Sequence, residues 1–161
     1  MDQDNLTLID EEDGTRDRYL TFAVGDEDYG VEIAYVTEII NVQTITELPE
    51  LPPYIRGIIN LRGKIVPVMD VRIRFNKEPK EYTDRTCIIV VDIGDSGIGL
   101  IVDQVREVLE ISAEQIVPPS ESRSSGGNRY ISGIAKTGED IKLLIDIERL
   151  VSDELAPGTE N

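Results

Sequence analysis

A chain of 161 residues, 40% of them hydrophobic, suffices for one domain or two small ones around a packed core. Its 32 acidic against 16 basic residues give a net charge of −16, which argues against nucleic-acid phosphates or an anionic membrane surface as ligand, since both select lysine and arginine. Histidine is absent and cysteine occurs once, which excludes an internal disulfide, histidine metal ligands, histidine phosphotransfer and Ser–His or Cys–His nucleophile pairs.

Residues 1–16 are polar and acidic and read as a disordered tail. Tyr19-x-Thr21-Phe22-x-Val24 then alternates as a half-buried strand. Gly25-Asp26-Glu27-Asp28 reads as a turn, and Tyr29-Gly30-Val31-Glu32-Ile33 as the returning strand of a hairpin. Apolar residues at steps of three, Ile33, Val36 and Ile39, predict a short helical turn followed by extended chain to Ile45. The proline-rich run at 48–53 is a loop, because proline interrupts ladders and helices alike. Residues 55–61 and 65–71 form two strands around the tight turn Arg62-Gly63-Lys64, and residues 72–75 a short helical piece. The charged connector at 76–84 is the best boundary between two units.

The second unit opens on the strand Cys87–Ile93, turns at Gly94-Asp95-Ser96-Gly97, and returns through Ile98–Val102. The Ser/Gly-rich run at 118–128 reads as a mobile loop. Residues 148–155 carry Leu150, Val151 and Leu155 at helical spacing, which predicts a short C-terminal helix before a frayed tail at 156–161.

The two units repeat one another. Tyr54-Ile55-x-Gly57-Ile58 returns as Tyr130-Ile131-x-Gly133-Ile134, and Ile65-x-x-Val68-Met69-Asp70-Val71 as Ile141-x-x-Leu144-Ile145-Asp146-Ile147, both at an offset of 76. The front of each unit repeats at 69: Gly30, Ile33, Val36, Glu38 and Ile39 recur as Gly99, Val102, Val105, Glu107 and Val108. Five short, twisted strands per unit favour closure into a small barrel, which satisfies most edge hydrogen bonds. The expected fold is mainly β: two SH3-like five-stranded β-barrels packed side by side, with a few short helices. The first spans 17–83, and the second 84–155 with the C-terminal helix.

Several segments resemble the CheW family of chemotaxis coupling proteins. They are Gly30-x-x-Ile33-x-x-Val36-x-Glu38-Ile39; Tyr54-Ile55-Arg56-Gly57; Asn60-Leu61-Arg62-Gly63 with Ile65-Val66-Pro67-Val68-x-Asp70-Val71-Arg72; and Val102-Asp103-x-Val105-x-x-Val108-x-x-Ile111-x-x-Glu114-Gln115-Ile116. The resemblance runs from about residue 19 to 150. It implies a non-enzymatic adaptor that couples methyl-accepting chemoreceptors, at their cytoplasmic tips, to the regulatory domain of the histidine kinase CheA. Further CheW copies in rings are an additional implied partner. The implied location is cytoplasmic, recruited to membrane-associated receptor arrays, with no nucleic acid bound and no direct membrane insertion. A CheW-like scaffold coupling a receptor-like sensor to a kinase in a non-motility pathway is the alternative. Lys64 departs from the pattern, since an apolar or small residue is common there.

The resemblance implies receptor- or kinase-side roles for Ile33, Val36, Glu38, Gly57, Arg62 and Val105. Each also has a structural reading. Ile33, Val36 and Val105 suit a core, and Glu38, repeated as Glu107, suits the polar side of a half-buried turn. Gly57 suits a strand bulge. Arg62 is a turn arginine that can either stay solvated or pair with a partner carboxylate. Asp70 and Asp146 are expected to cap the helices that follow rather than to form a catalytic pair. Asp26-Glu27-Asp28 lacks calcium-loop spacing, and Cys87 reads as a small core residue. No catalytic residue, cofactor or metal is expected.

Overall fold

A computed structural model describes residues 17–119 and 129–155. The expected tails at 1–16 and 156–161, and residues 120–128 of the expected loop, lie outside the described residues.

The chain forms β1 (Arg18–Val24) and β2 (Glu27–Glu32), a 3-10 turn at Ile33–Tyr35, then β3 (Val36–Asn41), β4 (Ile55–Leu61), β5 (Lys64–Asp70) and α1 (Val71–Arg74). The second repeat gives β6 (Cys87–Ile93), β7 (Ser96–Val102), β8 (Gln104–Glu110), a 3-10 turn at Ala113–Gln115, β9 (Ile116–Val117), β10 (Ile131–Thr137), β11 (Asp140–Ile145) and α2 (Ile147–Leu155). Asp70 caps α1 by accepting from the Arg72 amide at 3.0 Å, and Asp146 accepts from the Arg149 amide at 3.0 Å at the start of α2. Both aspartates therefore serve the helices, as their recurrence suggested. The helical turn expected across Ile33–Ile40 is confined to Ile33–Tyr35. From Val36 the chain is strand, because β-branched residues pair with β6 in the register Val36↔Val91 and Ile39↔Ile89.

The sheets do not follow the expected division at 83/84. One has the order β3-β6-β7-β5-β4, the other β8-β1-β2-β11-β10-β9. Each SH3-like barrel thus takes its leading hairpin from the opposite repeat: β6–β7 completes the barrel of β3–β5, and β1–β2 completes that of β8–β11. The connection from β2 to β3 passes between sheets through the Ile33–Tyr35 turn, and that from β7 to β8 passes back at Asp103. Sequence periodicity marks strands, but pairing across a crossover is decided by long-range packing, and the repeat offsets are blind to it. The pairings themselves obey the repeat. The parallel contact Val68↔Gly99 corresponds to Leu144↔Gly30, and Val36↔Val91 to Val105↔Phe22. The two-residue β9 corresponds to a single bridge, Thr46↔Ile58.

This exchange explains why β1 and β6 read as almost continuous apolar runs: both faces are covered. Leu20, Phe22, Val24, Tyr29 and Val31 from one hairpin meet Ile89, Val91, Ile98, Leu100 and Val102 from the other in a shared core between the barrels, joined by Met69, Ile145, Ile147 and Leu150. The opposite faces fill the barrels. Ile59, Leu61, Val66, Val68, Ile88, Val90 and Ile101 fill the five-stranded barrel, and Ile111, Ala135 and Leu144 the six-stranded one. At about 25 cal/mol per Å² of apolar surface, the shared core is the main reason the two small barrels cohere.

Candidate functional site

The seam between the barrels is where the chain crosses from one sheet to the other. Ile33 opens the 3-10 turn there, and Val36 starts β3. Val105 occupies the equivalent place near the start of β8, opposite Phe22. All three are partly buried and rest against the shared core. They support the seam from beneath and leave part of their surface outside it, so the core and interface readings both describe them.

From this seam β3 runs outward through Glu38 to Ile39, which is 43% exposed. The Arg62 guanidinium donates to the Glu38 carboxylate. Since β3 and β4 are the terminal strands of their sheet, the pair bridges the two sheet ends. The carboxylate draws the Arg62 pKa upward. Arg62 remains 72% exposed along its side chain, whereas Glu38 is 28% exposed, so the arginine face is still open to another acceptor. Arg62 and Gly63 form the two-residue turn between β4 and β5, with φ of 54° and 88°, and the Gly63 amide donates to Asn60 Oδ1 at 2.8 Å. Lys64, the departure from the family pattern, lies 3.8 Å from Asp92 and is 56% exposed.

Gly57 is a different kind of residue. It is buried in β4, at a bulge, with φ of 146°, and a Cβ there would lie 2.2 Å from the Thr46 carbonyl oxygen. Its lack of a side chain lets the chain at Ile45–Thr46 close the barrel, so it shapes the site without presenting a surface.

Polar links fix the crossover corners. Arg72 of α1 grips Asp103 through two hydrogen bonds of 2.8 and 2.9 Å, and the Gly25 amide donates to Asp103 at 2.7 Å. Burial pushes the Asp103 carboxyl up, but these donors outweigh it and hold the group below the usual carboxylate range. In the other half, the Tyr35 hydroxyl donates to Glu148 of α2 at 2.7 Å, and that bond pushes the tyrosine up to about 12. The Arg74 guanidinium lies between the rings of Tyr54 and Tyr130, at 4.2 and 4.8 Å, tying α1 to both repeats.

Sequence reasoning passed over the most exposed large apolar residues, Ile65 at 57% and Ile141 at 56%. They are equivalent at the offset of 76, on β5 and β11. Ile39 and Val108, 43% and 46% exposed, are equivalent at 69. The signal was present: Val66 and Val68 point inward, so period-two alternation sends Ile65 outward. Among the described residues no cluster of Cys, Asp or Glu is arranged to hold a metal ion, and no helix is long and apolar enough to cross a membrane.

Comparison with known proteins places this architecture. The model of the CheW-like domain matches residues 18–155. The chain is 38% identical over 136 residues to the chemotaxis protein CheW of Klebsiella aerogenes, covering 84% of this chain and 82% of that one. It is 31% identical over 141 residues to the chemotaxis protein CheW of Treponema pallidum, with the same coverage of 84% and 82%. Among solved structures it is similar to the scaffolding protein TtCheW from Thermoanaerobacter tengcongensis, with a TM-score of 0.72, 36% identity, and coverage of 80% of this chain and 88% of that one.

Proposed function

The chain belongs to the CheW family, and from that premise we propose that it is a cytoplasmic, non-enzymatic adaptor coupling chemoreceptors to the histidine kinase CheA within membrane-associated arrays. The observation that carries this reading is the match of the CheW-like domain across both barrels, from 18 to 155. The names of its relatives, chemotaxis proteins, favour this reading over a scaffold in a non-motility pathway.

The work of such a protein is geometric. The partly buried apolar residues Ile33, Val36 and Val105 at the seam suit contact with the side of a receptor's helical hairpin. The exposed face of Arg62, with Glu38 beside it on β3, offers a charged contact for the same partner. The equivalent exposed residues Ile65 and Ile141, one on each barrel, suit end-to-end contacts with a kinase regulatory domain or with further copies of the family. A standard contact buries about 800 Å² per partner. Repetition of modest contacts through an array multiplies their strength by avidity.

The test is a pull-down from purified components: the chain, a receptor cytoplasmic-tip fragment and the CheA regulatory domain. Recovery of both partners in one complex is the expected result. Recovery of neither, or only one at a time in mutual competition, would overturn the coupling role.

A further inference from the structure

The two barrels share a plan but differ in what fills them. At the repeat offsets, Ile59, Val66, Ile88 and Val90 inside the five-stranded barrel correspond to Ala135, Lys142, Tyr19 and Thr21 in the six-stranded barrel, and the buried Ile101 corresponds to the exposed Glu32. Every one of these changes removes apolar bulk or adds a polar group. Thr21 and Lys142 are buried, at 0% and 5% exposure, and their polar atoms must be satisfied internally. Thr21 does so by donating to the Glu107 carbonyl at 2.7 Å and accepting from the Glu107 amide at 3.2 Å.

Lys142 is satisfied by an ion pair. Its ammonium lies 2.9 Å from Asp28, and the other oxygen of Asp28 accepts from Arg106 at 3.0 Å. Asp28 is on β2, Lys142 on β11 and Arg106 on β8. One carboxylate thus ties the hairpin β1–β2 to both strands that flank it, across the β2–β11 and β1–β8 pairings. The equivalent positions in the five-stranded barrel are Gly97, Val66 and Thr37, so that barrel has no such clasp. Its own mouth pair, Lys64 and Asp92, is 3.8 Å apart with the lysine more than half exposed. The hairpin β1–β2 is anchored from its outer side by the shared core, through Phe22, Tyr29 and Val31. Both walls also reach that core, through Met69 on β5 and Ile145 on β11, so they differ in their interiors: among the described residues the wall β8–β11 contributes Ile111, Ala135 and Leu144 as buried apolar residues inside its barrel, against Ile59, Leu61, Val66 and Val68 from β4 and β5 in the other.

We infer that the wall β8–β11 of the six-stranded barrel is a built-in opening element: it swings away from the hairpin β1–β2 ahead of any opening of the five-stranded barrel, and the Lys142–Asp28–Arg106 clasp keeps it shut. Protein structures open in contiguous units whose stability follows their buried apolar contacts. The Lys142 ammonium is buried, so losing its carboxylate partner is costly, while Arg106 at the outer end of the clasp is 43% exposed. The consequence for regulation rests on the adaptor reading. Val105 stands on β8, so one side of the seam is carried by the wall that opens, and a partner seated there holds the wall closed.

Residue-resolved hydrogen exchange on the intact chain tests this without any partner. In the wild type, amides of β8 and β10 exchange roughly tenfold or more faster than their equivalents in β3 and β4. Asp28→Asn accelerates β8, β10 and β11 by a further tenfold or so and leaves β3 and β4 unchanged, whereas Asp92→Asn alters neither wall. Equal protection of the two walls, or earlier opening of the five-stranded barrel, overturns the inference. The wild-type comparison decides the order even if Asp28→Asn fails to fold. A receptor-tip fragment added afterwards slows exchange in β8. Failure of that last step alone counts against the adaptor reading, not against the order of opening.

Discussion

Arg62 occupies, at a φ of 54°, the turn position that Gly138 occupies at 69° in the second repeat. A non-glycine residue in left-handed backbone is held there against its preference, and what this one gains is the bond to Glu38. The second repeat keeps a glutamate at the equivalent site, Glu107, but has glycine where the arginine stands. The charged pair is therefore a property of one barrel and not of the shared plan.

Arg62→Gly separates the arginine's surface role from its turn. The substitution relieves the left-handed backbone while removing an exposed ion pair, so the melting temperature is expected to stay at or above that of the wild type. Co-sedimentation with receptor-bearing membranes is expected to fall. Charge reversal to glutamate is a less clean probe, because it sets a second carboxylate against Glu38.

Gly57 and Gly133 are equivalent in sequence, yet their alanine variants should differ. At Gly57 the new Cβ meets the Thr46 carbonyl at 2.2 Å on a backbone with φ of 146°. At Gly133 it meets a side-chain carbon, Ile116 Cγ2, at 2.6 Å. Backbone yields less than a side chain, so Gly57→Ala is expected to cost more than about 2 kcal/mol in denaturant melts, and Gly133→Ala distinctly less. A binding defect in Gly57→Ala then reports on folding, not on a contact made by residue 57.

Much of this was legible in the sequence. The strands, the hairpin turns and the two capping aspartates follow from alternation, glycine placement and recurrence, each a local property. The hairpin exchange was not legible. Offsets of 69 and 76 state which residues are equivalent but not which copy each hairpin joins, and that is settled by the fit of Phe22 and Tyr29 against Ile89 and Leu100 in the shared core. The candidate residues divide in the same way. The pairing of Glu38 with Arg62 needs the barrel closed, since the two lie at opposite ends of their sheet order, whereas the backbone role of Gly57 was open to view from glycine inside a strand.

The exchange gives an expected outcome for the separated halves. Residues 1–83 alone lack β6–β7, and residues 84–161 alone lack β1–β2, so each half leaves one barrel incomplete and the shared core open. Each fragment is expected to be largely unfolded by circular dichroism. An equimolar mixture is expected to regain strand signal through association.

Acid stability should track Asp103. Its folded pKa is depressed below the unfolded value of about 3.9, so the unfolded chain binds more protons and stability rises with pH through that window. The contribution is present above the unfolded value and is lost as pH falls through the folded one. Asp103→Asn should therefore melt below the wild type at neutral pH, with the gap narrowing as pH falls below about 4, the unfolded value. Melting temperatures measured across that range check the sign.

The most direct measurement of the adaptor account is amide and methyl shift mapping by NMR, with the isotope-labelled chain titrated first with a receptor cytoplasmic-tip fragment and then with the CheA regulatory domain. The expected result is a first set of shifts centred on Ile33, Val36, Glu38, Arg62 and Val105, and a second, separate set at a barrel end that includes Ile65 or Ile141 while the first persists. Shifts from both partners at one overlapping surface, or no shift at the seam with either, would contradict it.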